Sequence, residues 1–215
     1  MSHRLRREIL DVARRTLITC LTHGTSGNVS ARAGDGFLVT PTGVPYDELQ
    51  PSDLVLLDLE GRAVPGQRRP SSEWRIHRDL YAARADVGAV VHAHPTFATT
   101  IACLRRDLPA VHYMIAAAGG ATVRCAEYAT FGTEELSQAA LAALEGRTAC
   151  LLANHGILAV GADLARALRT AEEVEQVAEL YWRTLAAGAP VLLDADEMAR
   201  VLARFGDYGQ YPRRS

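Results

Sequence analysis

Two histidines one residue apart, His92-Ala93-His94, follow an apolar run at residues 87–91. The run reads as a strand that ends at His92. In a strand, residues i and i+2 share a face, about 6–7 Å apart, so both imidazoles can reach one ion. A third candidate, His155, follows another apolar run and sits in Asn154-His155-Gly156, where Gly156 permits a sharp backbone turn. Imidazole nitrogen suits zinc, and three protein ligands with one position left open is the arrangement of a catalytic zinc site. Two strand ends can deliver all three to one rim of a sheet. Spacing leaves a rival open: His77 lies one helical turn after Glu73 and on its face, where it can ligate a metal or simply pack and hydrogen-bond. Glu73 also has two readings, a carboxylate that serves chemistry or a charge placed favourably at a helix N-terminus.

Three short polar segments, Thr25-Ser26-Gly27-Asn28, Thr42-Gly43 and Ser71-Ser72, have the composition of an anion pocket. Helix N-termini carry unpaired N–H groups and partial positive charge, and serine hydroxyls add donors. Each segment alone also reads as an ordinary turn or cap. The chain contains no lysine; all 23 of its basic residues are arginine. That excludes a Schiff-base lysine, a lysine-bound pyridoxal phosphate and a P-loop lysine. Any carbonyl activation here must come from a metal or from hydrogen-bond donors.

These residues need a frame. Apolar spacing predicts a helix over residues 4–22 stopped at Gly24, then two short strands within 28–39 around Ala33-Gly34-Asp35-Gly36, and a strand over 54–59. Residues 62–70 read as a surface loop. A helix over 73–84 is expected with Ser72 as its N-cap, and Pro95 starts another. Further helices are expected over 133–145, 163–188 and 194–205, with strands at 150–152 and 157–160. The pattern is α/β: a single-domain three-layer αβα architecture with a mixed, largely antiparallel central sheet, because short turns join several neighbouring strands.

At 215 residues, 48 % hydrophobic and 22 % charged, the composition is that of an ordinary globular protein. A formal net charge of -2 gives no electrostatic reason to expect nucleic acid or an anionic membrane as partner. The N-terminal segment has no uninterrupted apolar stretch, so no secretory signal is expected, and no run has the length of a bilayer span. Cys20, Cys103, Cys125 and Cys150 are scattered and form no C-x-x-C pair, which points to a cytoplasmic location and away from a disulfide scaffold.

The runs His112-Tyr113-Met114-Ile115-Ala116-Ala117-Ala118-Gly119-Gly120 and Tyr128-Ala129-Thr130-Phe131-Gly132-Thr133 resemble the class II aldolase/epimerase family. So do Gly24-Thr25-Ser26-Gly27-Asn28-Val29-Ser30, Thr40-Pro41-Thr42-Gly43, Pro70-Ser71-Ser72-Glu73-Trp74, Val90-Val91-His92-Ala93-His94 and Asn154-His155-Gly156. The resemblance spans nearly the whole chain and implies one domain over 1–215. It implies that His92, His94 and His155 hold one zinc ion, with Glu73 approaching the metal and transferring a proton. It further implies that Gly27, Asn28, Thr42, Gly43, Ser71 and Ser72, with Thr25 nearby, bind a phosphate. Tyr113 is implied to reach the active site of a neighbouring subunit in a homotetramer, and Phe131, Phe205 and Tyr208 to shape the aldehyde end. Two features depart from the family pattern, Pro95 after the second zinc histidine and the tail from Tyr208 to Ser215.

The resemblance is strongest to the aldolase branch of the family. The implied reaction is reversible cleavage of L-fuculose 1-phosphate, or a similar ketose 1-phosphate, to dihydroxyacetone phosphate and L-lactaldehyde. Zinc would stabilise the enediolate, in place of the missing lysine iminium. The related L-ribulose-5-phosphate 4-epimerase uses an aspartate in the stretch matching residues 112–120, and no carboxylate occurs there. Aldolases for other 5-deoxy-ketose phosphates and a methylthioribulose-1-phosphate dehydratase remain alternatives. A non-enzymatic alternative, an adducin-like head domain, lacks zinc ligands.

Overall fold

The computed structural model describes residues 3–205; the C-terminal tail expected to help shape the aldehyde end, Tyr208 included, lies outside them. The chain runs α1 (His3–Ile18), β1 (Asn28–Ala33), β2 (Gly36–Val39), β3 (Val55–Asp58), α2 (Trp74–Ala83), β4 (Ala89–Ala93), α3 (Thr96–Cys103), β5 (Cys125–Ala126), α4 (Glu134–Ala143), β6 (Ala149–Leu152), β7 (Gly156–Gly161), α5 (Leu164–Ala187) and α6 (Ala195–Phe205). The seven strands form one sheet in the order β3-β2-β1-β4-β7-β6-β5. Every neighbouring pair is antiparallel except β5 and β6. The expected three-layer, largely antiparallel sheet is therefore the fold.

Alternation along the strands sorts side chains to two helical layers. On one face Ala89, Val91 and Ala93 of β4 and Ile157 and Ala159 of β7 pack with Ile9 of α1, Ile101 of α3 and Val174 of α5. On the other, Val90, Leu158 and Val160 meet Ile76 and Leu80 of α2 and Leu136 and Ala140 of α4. β4 is covered on both faces, which is why its sequence is apolar without a break before His92. It is also the middle strand, flanked by β1 and β7. His92 shares the parity of Val90 and so faces the α2 layer, the side from which Glu73 arrives.

Local differences from the expected elements have physical causes. α1 stops at Ile18, not near residue 22, because Cys20 adopts a left-handed backbone (φ 57°) and the amides of Leu21 and Thr22 turn back onto Thr16 O. β4 begins two residues later and ends one residue later than expected, so His92 lies inside the strand, paired with Asn28 on one side and Leu158 on the other. α2 starts at Trp74 with Glu73 at its N-cap position, and Ser72 does not cap it. The hydroxyl next to that turn belongs to Ser71, whose Oγ accepts from the Glu73 amide at 3.2 Å. The β6–β7 turn takes its left-handed residue at Asn154 (φ 53°), not at Gly156. Two short 3-10 turns (Pro51–Asp53 and Tyr113–Ala118) and the two-residue β5 were not expected. Among the described residues no helix is long and apolar enough to cross a membrane.

Leu158 is fully buried beside His92 in the sheet. Leu158→Ala is expected to cost about 2–5 kcal/mol, transfer and cavity terms together, read as a lower urea midpoint.

Candidate metal centre and cleft

Four side chains converge where β4, the β6–β7 turn and the start of α2 meet. Each of His92, His94, His155 and Glu73 offers one ligand atom, and these atoms lie within 4.8 Å of one another. His92 Nε2 is 3.0 Å from His94 Nε2 and 3.0 Å from Glu73 Oε2, and His155 Nε2 is 3.3 Å from Glu73 Oε1. The three rings stand at 4.8–4.9 Å between centroids, tilted or edge to face. His92 Nδ1 donates to Ile157 O at 2.8 Å, which leaves Nε2 as the nitrogen facing the cluster.

A divalent cation fits this arrangement. Two imidazole nitrogens 3.0 Å apart cannot both carry hydrogen, and a neutral pair offers two lone pairs to the same point. Glu73 Oε1 is buried and makes no hydrogen bond among the described residues, although a buried carboxylate oxygen ordinarily has partners. A cation among three lone pairs and a carboxylate satisfies all of these demands, and the donor set suits zinc.

Electrostatics point the same way. Burial opposes ionisation of Glu73, but His92 above all, with His155 and His94, outweighs it and holds the carboxyl well below its usual range. Burial pushes His94 down to about 3 and His155 down to about 4, with His92 adding to both. His92 is itself raised: burial lowers it, and the adjacent Glu73 carboxylate more than compensates. Without a cation, the pair that shares charge is therefore His92 and Glu73.

His77, the rival ligand, does not join the cluster. It is fully buried, with Nδ1 2.6 Å from Ser30 Oγ and Nε2 against Asn28 Oδ1. Burial first, then the neighbouring His92, push it down to about 3, so it is neutral.

A cleft of about 340 Å³ opens above the cluster. All seven residues expected at a phosphate, Thr25, Gly27, Asn28, Thr42, Gly43, Ser71 and Ser72, line it together with Glu73, His94 and His155. Among the described residues no arginine is in its wall, so an anion there meets neutral donors. Of the residues expected at the aldehyde end, Phe131 lines the cleft, whereas Phe205, the last residue of α6, does not. Tyr113 is 44 % exposed, beside His112, and is not in the cleft of its own chain. Sequence reasoning missed Tyr128 and Asn154 as lining residues. Asparagine tolerates a left-handed turn, which is the signal that could have drawn attention to Asn154. Glu175 of α5 was also missed; its carboxylate accepts from the Phe97 and Ala98 amides at 2.9 and 2.7 Å and pins the start of α3 just beyond His94.

Two glycines let backbone crowd the metal strand. A Cβ on Gly27 would lie 2.6 Å from His92 O, and one on Gly156 would lie 2.4 Å from Ala93 O and 2.7 Å from His94 Cδ2. Gly156 thus serves close approach and not the turn that the sequence suggested.

A mixed seven-stranded sheet that gathers three imidazoles at one rim, met by a carboxylate from the start of α2, defines an α/β protein with a cluster that could hold one metal ion. The chain belongs to the family described as Class II Aldolase and Adducin N-terminal domain, whose model matches residues 7–182. It is 55 % identical over 205 residues to a 5-methylthioribulose-1-phosphate/5-deoxyribulose-1-phosphate aldolase of Rhodospirillum rubrum, covering 95 % of this chain and 92 % of that protein. It is 48 % identical over 208 residues to the L-fuculose phosphate aldolase of Escherichia coli K12, covering 96 % of both. A solved L-fuculose 1-phosphate aldolase superposes with a TM-score of 0.92 at 45 % identity, covering 96 % of this chain and 98 % of that one. The family and fold expected from the motifs hold.

Gly156→Ala is expected to cost about 1–3 kcal/mol through overpacking and to weaken metal binding by displacing His94, measured by thermal unfolding and metal titration. Metal affinity should fall as pH falls, because protons compete for the ligands. Between roughly pH 5 and 6, His94 and His155 are already neutral and His92 alone must lose its proton, so about one proton should be released per metal ion. Calorimetry in buffers of different ionisation enthalpy checks this; a release near three would contradict the assignment of charge to His92.

Proposed function

We propose that this chain is a zinc-dependent aldolase that reversibly cleaves a deoxyketose 1-phosphate to dihydroxyacetone phosphate and a short aldehyde. The reading is carried by one observation: the cluster of Glu73 and three imidazoles lies at a cleft lined by Glu73, His94 and His155 together with serine, threonine and glycine loops. When bound, the zinc ion supplies Lewis-acid stabilisation of the enediolate as the carbon–carbon bond breaks. His92, His94, His155 and Glu73 would hold it. Glu73 transfers the proton at the carbon next to the carbonyl, as base in synthesis and acid in cleavage. Ionised and largely out of water, it is available as a base. Backbone N–H groups of the loops at 25–28 and 42–43, with the Ser71 and Ser72 hydroxyls, orient the phosphate without a lysine. Phe131, with the newly found Tyr128, offers apolar surface at the aldehyde end.

The 55 % identity to the R. rubrum protein makes 5-methylthioribulose 1-phosphate and 5-deoxyribulose 1-phosphate the first substrates to examine. L-fuculose 1-phosphate, giving L-lactaldehyde, comes second. The methylthioribulose alternative thus enters as aldol cleavage, where the sequence suggested dehydration. The family model alone does not separate aldolase from adducin-like domains; the complete ligand set favours the enzyme.

Tyr113, exposed and outside its own cleft, is proposed to act on the aldehyde oxygen in the cleft of a neighbouring subunit of a homotetramer, with Phe205 and Tyr208 also near the aldehyde. The four free cysteines fit a reducing, cytoplasmic location, with a sugar phosphate as partner and no nucleic acid or membrane.

Chelation should abolish dihydroxyacetone phosphate release from a panel of 5-methylthioribulose, 5-deoxyribulose, L-fuculose and L-rhamnulose 1-phosphates, and zinc should restore it. Full activity of the stripped protein would refute the reading. Glu73→Gln should slow solvent proton exchange into dihydroxyacetone phosphate by about 10²–10⁴-fold. Mixed oligomers of Tyr113→Phe and Glu73→Gln chains should regain part of the activity; none in verified mixed oligomers would argue for a site within one subunit.

A further inference from the structure

Behind the cluster, five buried side chains form an unbroken hydrogen-bonded line. Tyr81 Oη lies 2.7 Å from Ser30 Oγ, Ser30 Oγ 2.6 Å from His77 Nδ1, His77 Nε2 against Asn28 Oδ1, and Asn28 Nδ2 3.2 Å from Glu73 Oε2. None of the five is more than 6 % exposed. Two simple periodicities build the line. Asn28 and Ser30 share one face of β1 at i and i+2, and Glu73, His77 and Tyr81 follow one face of α2 at i, i+4 and i+8.

The chemistry of the five groups permits only one arrangement of hydrogens. An ionised carboxylate only accepts, so the Asn28 amide must turn its NH₂ to Glu73 and its oxygen to His77. His77 Nε2 must then carry the hydrogen. In a neutral ring that leaves Nδ1 as a lone pair, so Ser30 must donate to it. The Ser30 oxygen is then the acceptor for Tyr81. Every donor points towards Glu73, an alignment in which each bond polarises the next. The far end is anchored: the Arg32 guanidinium lies 5.0 Å over the Tyr81 ring and donates to Tyr81 O at 2.9 Å.

We propose that His77 is a positioning residue for the reaction: by donating from Nε2 it fixes the face that Asn28 presents, and so holds Glu73 Oε2 in register for proton transfer. The proposal rests on the reading of Glu73 as the proton-transfer group. A free asparagine amide could present its oxygen to the carboxylate, which would repel it; the histidine removes that choice.

The test uses the full-length zinc-loaded protein. In ¹⁵N–¹H correlation spectra of the wild type, His77, assigned by the loss of its signals in His77→Gln, should show a protonated Nε2 and an unprotonated Nδ1. The opposite tautomer overturns the proposal, and this measurement needs no variant that might misfold. His77→Leu should slow solvent proton exchange into dihydroxyacetone phosphate by about tenfold or more. His77→Gln, which keeps a donor nitrogen at the same reach, should recover most of the rate. In an Asn28→Leu background, His77→Leu should add little further loss. A normal exchange rate in His77→Leu, no recovery in His77→Gln, or an equal loss in both backgrounds would each overturn it. If instead Glu73→Gln leaves exchange intact, the reading of Glu73 fails, while the tautomer result stands by itself.

Discussion

A carboxylate almost wholly removed from water, 3.0 Å from one imidazole and 3.3 Å from another, is costly to bury, by several kcal/mol before compensation. Much of the architecture compensates Glu73. The middle strand of the sheet presents His92 and His94, the tight β6–β7 turn presents His155, and Asn28 on β1 donates from the side. Because β4 is buried on both faces and paired along both edges, the ligands ride on backbone that has little freedom to move. Residues placed this firmly can face one another before any ligand arrives.

The absence of lysine gives this constraint its chemical meaning. A lysine enzyme activates a carbonyl by forming a covalent iminium; a chain without one needs charge that is not covalent. The cluster offers a place for that charge, and the cleft above it is lined by serine, threonine and glycine loops. Arginine is plentiful in the chain but is used elsewhere. Arg6, Arg14, Arg32 and Arg84 all donate to backbone carbonyls and tie elements together.

Much of this was legible in the sequence. The apolar run before His92, the H-x-H pair and the short turns between strands specified a covered central strand and a largely antiparallel sheet. The three polar segments gather at one cleft, although each alone looked like a turn. Three things were not legible. The role of His77 depended on which partners β1 would bring to it, a long-range register that helical spacing does not contain. The reason for Gly156 lay in how closely Ala93 O approaches, which no local pattern records. The place of Tyr128 and Asn154 in the cleft wall depended on how the stretch before α4 and the β6–β7 turn lie over the site, a tertiary arrangement. The capping of α2 was misread because Ser71 and Ser72 are chemically alike and only the observed turn tells them apart.

The cleft draws its residues from two kinds of backbone. His94 and His155 stand just beyond the ends of sheet strands, whereas Tyr128 and Phe131 come from the stretch between β5 and α4, exposed by 53 % and 64 %. Changes in that stretch can reshape the open end without disturbing the strands that carry the histidines. Selection can then act on the two parts separately, retaining the histidine and carboxylate cluster while the open end of the cleft drifts. On the proposed aldolase reading, proteins sharing this scaffold would diversify through the small fragment they release.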